Sequence, residues 1–316
     1  MPDPMPDAAA QRPPFAARHI FLETAFEQRF QGLLRQAWQA RSWHVIAALP
    51  GSGKSFGIHD LVLRSGARKD ATGTTTLPVL AIRAPKNSAR EQAFGVALSA
   101  AFGTVPTMSW PARRAWLVRA LAAAHVECLI IDDAQDLTLP HLAFLKELTD
   151  NLAAPPYQRP VGLCLVAATR GTRVPFKDTF AGPEVLWRQF RRRMDTERPY
   201  CVVLGHTEDE VRQILTTCDD LYRAHVPNLQ LRRWAKPIVR WLTHPALDPD
   251  ATERVTMDHL MRFVLSAVRR AYEQELPDVT DRLLEATAER LILRRDEVVA
   301  IDGIIPAAVP PLQEVG

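Results

Sequence analysis

The segment Ala48-Leu-Pro-Gly-Ser-Gly-Lys54-Ser55 constrains most strongly what this chain can fold into. It fits the phosphate-binding loop pattern G-x-x-x-x-G-K-S/T, except that Ala48 stands at the first glycine position. A predicted apolar strand, residues 43–47, precedes the loop, and a predicted helix, residues 54–63, follows it. Such a turn presents backbone N–H groups and the positive end of the helix dipole to a phosphate. The sequence therefore predicts an α/β fold built around a phosphate-binding loop.

Each position of the loop has an expected task. Lys54 is expected to reach the β- and γ-phosphates of a nucleotide, and the Ser55 hydroxyl is expected to ligate Mg²⁺. Ala48 is acceptable because the first position mainly needs a small residue, and Pro50 stiffens the entry to the loop. The predicted nucleotide-binding residues of the loop are Pro50, Gly51, Ser52, Gly53, Lys54 and Ser55.

A pair of acidic residues at the end of another apolar run supports the same site. The run at residues 126–131 reads as a buried parallel strand and ends in Asp132 and Asp133. We expect this strand next to the strand of the phosphate loop, so that Asp132 holds the hydration shell of Mg²⁺. The next acid usually polarises the attacking water and is usually Glu. Here it is Asp133, one methylene shorter, so slow hydrolysis is expected.

Three further polar positions are candidates for a hydrolytic site. Thr169 follows an apolar strand and could contact the γ-phosphate or the attacking water. A basic cluster at residues 187–193 could supply an arginine finger to a neighbouring subunit, with Arg188 and Arg191 as the candidates. Arg262, on a predicted helix, could lie over the phosphates. A plain strand-end threonine, a solvated basic face and a surface arginine remain the alternatives.

Strands and helices alternate along the chain as far as Gly205, and only helices are predicted after it. This alternation favours a parallel α/β sheet followed by a smaller all-helical domain, in which Pro237 kinks or splits the second helix. The predicted strands span residues 43–47, 77–83, 126–131, 161–168 and 200–204. The predicted organisation is a disordered tail at 1–18, an α/β domain at 19–205, a helical domain at 206–304 and a flexible Pro-rich tail at 305–316.

Composition and charge exclude several classes of protein. The chain has 316 residues, of which 47% are hydrophobic and 24% charged, so a wholly disordered or collagen-like chain is excluded. No apolar run reaches the length of about 18 residues that indicates a membrane span, and residues 1–14 lack a secretory signal, so a cytoplasmic protein is expected. The net charge of +3 permits contact with nucleic acid without requiring it.

The order of these elements resembles that of the AAA+ ATPases. It runs from the phosphate loop through the Asp-Asp strand end, the polar strand tip and the arginine cluster to a helical lid, over about residues 20–295. The resemblance implies that ATP and Mg²⁺ bind between the α/β domain and the lid, and between subunits. It also implies assembly into rings or helical filaments.

Within the AAA+ ATPases, the chain resembles the TniB/TnsC group of transposition regulators, relatives of the phage MuB protein. The resemblance rests on the small size, the helix before the loop strand, the Pro-Lys turn within residues 78–88, and the path from Thr107 to the Asp-Asp-Ala-Gln strand end. In that family, the turn after the second strand and the following helical segment hold the DNA backbone. The matching positions here are Arg83, Lys86, Ser88, Arg90, Thr107, Arg113 and Arg114. Such side chains suit phosphate oxygens and do not read sequence.

The resemblance implies a regulator that oligomerises on duplex DNA with ATP and recruits a transposase and a target-selection adaptor. Two alternatives stay open. A replication initiator or helicase loader often carries a winged helix, and no strand-bearing winged helix is readable after residue 205. A signalling or secretion-associated NTPase switch would act without DNA, which the modest net charge allows.

Overall fold

The computed structural model of the protein describes residues 22–66, 68–69, 75–86 and 88–293. The predicted tails at residues 1–18 and 305–316 lie outside this part of the chain. No helix within the described ranges has the length and apolar character needed to cross a membrane.

A five-stranded parallel sheet forms the centre of the first part of the chain, which confirms the predicted fold class. Its strand order is β4-β5-β6-β1-β7. Most positions in these strands are buried, as expected for a parallel sheet that is covered on both faces. The strands are β1 Trp43–Ala48, β4 Val79–Arg83, β5 Cys128–Asp132, β6 Gly162–Ala168 and β7 Tyr200–Val203.

The strand order corrects one prediction. The strand that ends in Asp132 is not adjacent to the strand of the phosphate loop, because β6 lies between them and pairs with both. The physical reason is that β1, β5 and β6 are all almost completely buried, so burial alone does not fix their order, which is set by pairing between segments far apart in the chain. Asp132 and the phosphate loop nevertheless share the carboxyl edge of the sheet, since all five strands are parallel.

Alternate side chains of each strand enter two separate cores. Val45 points to one face of the sheet and Ile46 to the other, as the two-residue period of a strand requires. Two helices cover one face, and five cover the opposite face. The first two are α1 Ala25–Ala40 and α2 Lys54–Ser65. The other five are α3 Glu91–Ala100, α4 Trp110–Ala123, α5 Leu139–Ala153, α6 Lys177–Ala181 and α7 Val185–Arg191.

Some short elements were not predicted. Between α2 and β4, Arg68–Lys69 (β2) and Thr75–Thr76 (β3) form a two-stranded antiparallel pair. Helices α6 and α7 fall in the segment for which only a basic cluster was predicted. A single 3-10 turn, Ala134–Asp136, follows the acidic strand end. Each of these elements is too short to give a readable period in the sequence.

The chain after Gly205 is helical and has its own hydrophobic core. Thr207 begins it as the N-cap of the first helix, where its hydroxyl accepts from the Glu210 N–H and the Glu210 carboxylate accepts from the Thr207 N–H. Pro237 stands in the first turn of a helix that continues directly from a 3-10 turn, Leu231–Trp234, so the predicted helix changes type two residues before Pro237 and is not interrupted at it. The helices are α8 Glu208–Tyr222, α9 Ala235–Leu242, α10 Met257–Glu273 and α11 Asp281–Leu293. The separate cores support the proposed division near residue 205.

Candidate nucleotide-binding site

The phosphate loop adopts a conformation that depends on two glycines. Gly51 has a φ of 71° and Gly53 a φ of 104°, a region in which a side chain would be strained. Helix α2 begins directly after Gly53, so the N–H groups of Lys54 and Ser55 have no acceptor within the helix, whereas the Phe56 N–H donates to the Gly53 carbonyl at 3.0 Å. These N–H groups and the helix dipole make the loop suited to an anion.

A cavity of about 500 Å³ lies against this loop. The start of α10 closes it from the helical part of the chain, since the Asp258 N–H donates to the Gly51 carbonyl at 2.9 Å. Residues at the start of α1 form another wall. Besides residues 51–56, the lining residues are Leu22, Thr24, Phe26, Glu27, Met257, Asp258 and Met261.

Lys54 lies at the base of the cavity and is buried. Its Nζ donates to the Leu49 carbonyl at 3.1 Å. Burial lowers the pKa of Lys54, while the nearby carboxylates of Asp132 and Asp133 act in the opposite direction. A buried ammonium with one acceptor gains by contact with phosphate oxygens, as the sequence predicts for this lysine.

Ser55 and Asp132 meet as the sequence predicts for a magnesium site. The Ser55 hydroxyl donates to Asp132 Oδ2 at 2.6 Å, and the other oxygen of Asp132 accepts from the Asp133 N–H at 2.9 Å. A hydroxyl and a carboxylate are hard oxygen donors of the kind that Mg²⁺ takes from a protein alongside phosphate and water. The residues present therefore fit this ion.

Ser52 gives a further indication that the loop takes a ligand. The residue is 2% exposed, and its hydroxyl has no hydrogen-bond partner within the described residues. Ser52 nevertheless lines the cavity. A buried hydroxyl without a partner is unfavourable, and a phosphate oxygen would accept from it.

The Asp133 carboxylate is contacted by side chains at and after the end of β4 and by Gln135, which also reaches the end of β6. Its Oδ2 accepts from Arg83 Nε at 2.9 Å, with Lys86 Nζ at 3.9 Å, so two of the predicted DNA-contacting cations lie against the predicted catalytic carboxylate. Its Oδ1 accepts from Gln135 Nε2 at 3.4 Å. Gln135 Oε1 in turn accepts from the Ala168 N–H at 2.8 Å.

Sequence reasoning missed Gln135 as a site residue. It was visible only as the last letter of the Asp-Asp-Ala-Gln strand end. Thr169, predicted for the strand tip beside it, is not among the residues that line the cavity. The Thr169 hydroxyl donates to the Arg173 carbonyl, and its N–H donates to the Ala48 carbonyl at 3.1 Å. Thr169 thus ties β6 to the loop strand, while Gln135 connects β6 to Asp133.

The two predicted arginine-finger candidates differ in their surroundings. Arg191 Nη1 donates to the carbonyls of Phe180 and Gly182, the latter at 3.1 Å, so it fixes the turn between α6 and α7. Arg188 is exposed, and within the described ranges no acceptor is bonded to its guanidinium. Arg188 is therefore the candidate free to reach another subunit.

Arg262 lies beside the nucleotide cavity rather than in it. Its Nε donates to Asp258 Oδ1 at 2.9 Å, and its side chain is largely exposed. It lines a separate cavity between α10 and α11, whereas Asp258 lines both. The contact with Asp258 connects Arg262 to the helix end that closes the nucleotide cavity.

The remaining predicted DNA contacts divide into engaged and exposed side chains. Arg113 is turned inward: its Nη2 donates to the Pro106 carbonyl at 2.8 Å, and its Nε is buried. Arg114 pairs with Glu147 and lies 3.6 Å from Glu91.

The other three predicted DNA contacts, Ser88, Arg90 and Thr107, lie nearer the surface. Arg90 and Thr107 are exposed, before α3 and in the loop before α4 respectively. Ser88 is half-buried, and its hydroxyl accepts from the Arg90 N–H at 3.4 Å. Arg90 and Thr107 thus remain available for an external contact.

Comparison with known proteins agrees with this geometry. Residues 38–170 match the family model described as AAA domain, a stretch that includes the phosphate loop and the Asp132 strand end. The chain has the AAA+ P-loop fold. No curated protein matches the sequence significantly.

Solved structures of origin-recognition proteins are similar in fold. The ORC2 protein of Aeropyrum pernix in ADPNP-ADP complexes aligns with a TM-score of 0.60 and 13% identity, over 87% of this chain and 71% of that chain. The ORC1 protein of the same organism in complex with DNA aligns with a TM-score of 0.55 and 15% identity, over 88% of this chain and 68% of that chain. Drosophila ORC bound to DNA aligns with a TM-score of 0.57 and 15% identity, over 92% of this chain and 69% of that chain. These findings support the resemblance to AAA+ ATPases. The narrower resemblance to the TniB/TnsC group is a proposal.

Proposed function

We propose that this protein is a DNA-transposition regulator that binds and slowly hydrolyses ATP with Mg²⁺ and assembles on duplex DNA in its ATP-bound state. The observation that carries the proposal is the cavity between the phosphate loop and the start of α10, with Ser55 hydrogen-bonded to Asp132 at its edge. A loop rich in backbone donors, a buried lysine and two hard oxygen ligands together suit a magnesium nucleotide.

Hydrolysis depends on Asp133 as the group that polarises the attacking water. Ser55 and Asp132 would hold Mg²⁺, which would neutralise charge on the phosphates when bound. Asp133 is engaged by Arg83, Lys86 and Gln135, so its carboxylate is partly neutralised and positioned away from solvent. The short side chain and these contacts both favour a slow basal rate.

Assembly supplies the remaining part of the site. Arg188 is exposed at the last turn of α7, and a guanidinium from a neighbouring copy would stabilise charge on the γ-phosphate. ATP binding would then connect copies of the chain into a ring or a helical filament. Because α10 closes the cavity through the Gly51–Asp258 hydrogen bond, nucleotide occupancy would also set the position of the helical part.

Duplex DNA is the proposed partner of the edge formed by the end of β4 and the loops around α3. Arg83, Lys86 and Arg90 are exposed there, and Thr107 is exposed in the loop before α4. Such a set would bind the phosphate backbone without reading the base sequence. A transposase and a target-selection adaptor are the further partners implied by the TniB/TnsC resemblance.

A replication initiator or helicase loader is the second candidate, favoured by the similarity in fold to the ORC1 and ORC2 structures. The described part of the chain after residue 205 contains four α-helices, a 3-10 turn and one isolated β-bridge, without the strands of a winged helix. Within residues 206–293 there is thus no winged helix to read an origin sequence, and the transposition regulator stays the first proposal.

The test is duplex-DNA binding with ATP, a non-hydrolysable ATP analogue, ADP or no nucleotide, with particle size measured by electron microscopy. We expect ATP-dependent rings or filaments on two duplexes of unrelated sequence, and loss of the ATP effect in Lys54→Ala. Lys236→Ala, a change at an exposed lysine of α9, is the matched control and should behave as the wild type.

Two outcomes would contradict parts of this account. Nucleotide binding without any effect on DNA binding would favour a signalling or secretion-associated switch. ATP-dependent binding confined to one sequence would favour the replication initiator.

A further inference from the structure

We infer that the Glu27 carboxylate recognises the amino group on C6 of adenine inside the nucleotide cavity. The inference rests on the proposed function, because it requires a nucleotide in that cavity. It assigns base specificity to a residue that the sequence placed only in the helix before the strand of the phosphate loop.

The cavity has two chemically different ends. The phosphate loop supplies N–H donors and Lys54 at one end. The walls formed by the segment before α1 and by α10 carry apolar side chains suited to the faces of a purine ring, namely Leu22, Met257 and Met261. Glu27 belongs to the α1 wall and lines the cavity while being 6% exposed. A carboxylate would repel phosphates, so this wall is suited to the base.

Glu27 is held in place against α2. A Cβ atom on Gly57 would lie 2.7 Å and 2.9 Å from the two carboxylate oxygens of Glu27, so Gly57 provides the room that the carboxylate occupies. Gly57 stands one helical turn after Lys54, which places the carboxylate beside the helix rather than over the donors of the loop. The position is therefore fixed by packing and is not that of a mobile surface acid.

One carboxylate oxygen of Glu27 is engaged and the other is available. Oε1 accepts from Gln31 Nε2 at 2.7 Å, and the same amide nitrogen donates to Asp60 Oδ2 at 2.6 Å. No donor within the described ranges is hydrogen-bonded to Oε2. Burial raises the pKa of Glu27, while the hydrogen bond from Gln31 acts in the opposite direction, so a further donor at Oε2 would stabilise the charged form.

Adenine supplies such a donor from its C6 amino group. Hypoxanthine has a carbonyl oxygen at the same position, which would meet the carboxylate as a second acceptor. A hydrogen bond to a charged acceptor contributes enough to predict at least about a tenfold preference for ATP over ITP. Guanine also has a carbonyl at C6, so GTP should bind more weakly than ATP.

The experiment is calorimetric titration of the full chain with ATP, ITP and GTP in the presence of Mg²⁺. The wild type should bind ATP at least about tenfold more tightly than ITP. Glu27→Gln should lose most of this preference, because its amide can accept from Gln31 and can also donate to a C6 carbonyl. Glu23→Gln, at an exposed position before α1, is the matched control and should keep the preference.

The outcomes separate this inference from the proposed function. Equal wild-type affinity for ATP and ITP would overturn the inference alone, and so would tighter binding of GTP or an undiminished preference in Glu27→Gln. These comparisons of nucleotides on the wild type do not depend on a variant folding. Absence of binding by all three nucleotides would contradict the proposed function and the inference with it.

Discussion

The Nε atom of Arg83 lies 2.9 Å from Oδ2 of Asp133, across the carboxyl ends of β4 and β5. The Lys86 ammonium lies 3.9 Å from the same oxygen. Residues proposed to contact DNA are thus in direct contact with the residue proposed to polarise the attacking water. DNA phosphates that attract these cations would release the carboxylate, so we propose that DNA bound at this edge would promote hydrolysis.

The first prediction concerns this ion pair. Arg83→Ala should raise ATP hydrolysis without DNA by about two- to fivefold, since exposed ion pairs contribute about 0.2–1 kcal/mol. DNA should stimulate the variant less than it stimulates the wild type. Phosphate release with and without duplex DNA measures both effects, and Lys177→Ala, an exposed lysine of α6, is the control. Equal basal rates in the variant and the wild type would remove Arg83 from control of hydrolysis.

The second prediction separates the two arginine-finger candidates. Arg188→Ala should lower hydrolysis by the assembled protein by at least about a hundredfold, because an arginine finger contributes 10³–10⁵ in characterised cases. Mixing Arg188→Ala with Asp133→Asn should restore activity, since the second variant brings an intact Arg188 to the first variant's site. Arg191→Ala should instead lower thermal stability, because it removes donors to the Phe180 and Gly182 carbonyls. A mixture with no recovery would exclude action of Arg188 between subunits.

The third prediction distinguishes DNA contact from internal support. Arg113 donates to the Pro106 carbonyl, so Arg113→Ala should destabilise the loop before α4 and leave the salt dependence of DNA binding unchanged. Arg90→Ala should preserve the fold and reduce the slope of log K against log salt by about one. Fluorescence anisotropy at several salt concentrations measures the salt dependence of DNA binding, and thermal melting measures stability. The reverse pattern would assign the DNA contact to Arg113.

The fourth prediction concerns pH and the junction between the two parts of the chain. His206 is fully buried against Phe26, and burial lowers its pKa from 6.5 to about 4. The carboxylate of Glu210, 3.7 Å from its Nδ1, opposes this shift, and the charge of Arg29 adds to it. Between pH 6.5 and 4 the unfolded chain binds more protons than the folded chain, so the free energy of unfolding falls as pH falls.

The size of this effect can be measured directly. His206 should contribute a loss of about 1.6 kcal/mol in the free energy of unfolding between pH 6.5 and pH 5. His206→Gln does not titrate, so its denaturation curves should change less over the same interval. An equal change in the wild type and the variant would show that His206 is not the titrating group.

Features that depend on local sequence could be predicted, while those that depend on distant partners could not. The phosphate loop was readable because its glycine conformations and helix start are fixed within a few residues of Lys54. The position of β6 was not, since strand order is set by pairing between segments far apart in the chain. Asp132 meets Ser55 although its neighbouring strand was wrongly predicted, because every parallel strand ends at the same edge of the sheet.

Side-chain partners were the other part that sequence could not supply. Arg113 and Arg114 read as exposed cations because their acceptors, a backbone carbonyl and Glu147, are close only in the folded chain. The same is true of Gln135, which reaches Ala168 on a different strand. The charge pattern therefore indicated that cations cluster at this edge of the sheet. It did not indicate which of them have hydrogen-bond or ion-pair partners within the chain.

Calorimetric titration of the wild type and of Lys54→Ala with Mg²⁺ and ATP tests the central claim most directly. The account predicts one ATP bound per wild-type chain. In Lys54→Ala, circular dichroism should be unchanged and affinity should be at least about a hundredfold lower, since charge-assisted contacts to the phosphates are lost. Lys236→Ala should bind as the wild type does. Undiminished ATP affinity in Lys54→Ala would contradict the assignment of this loop and cavity as the nucleotide site.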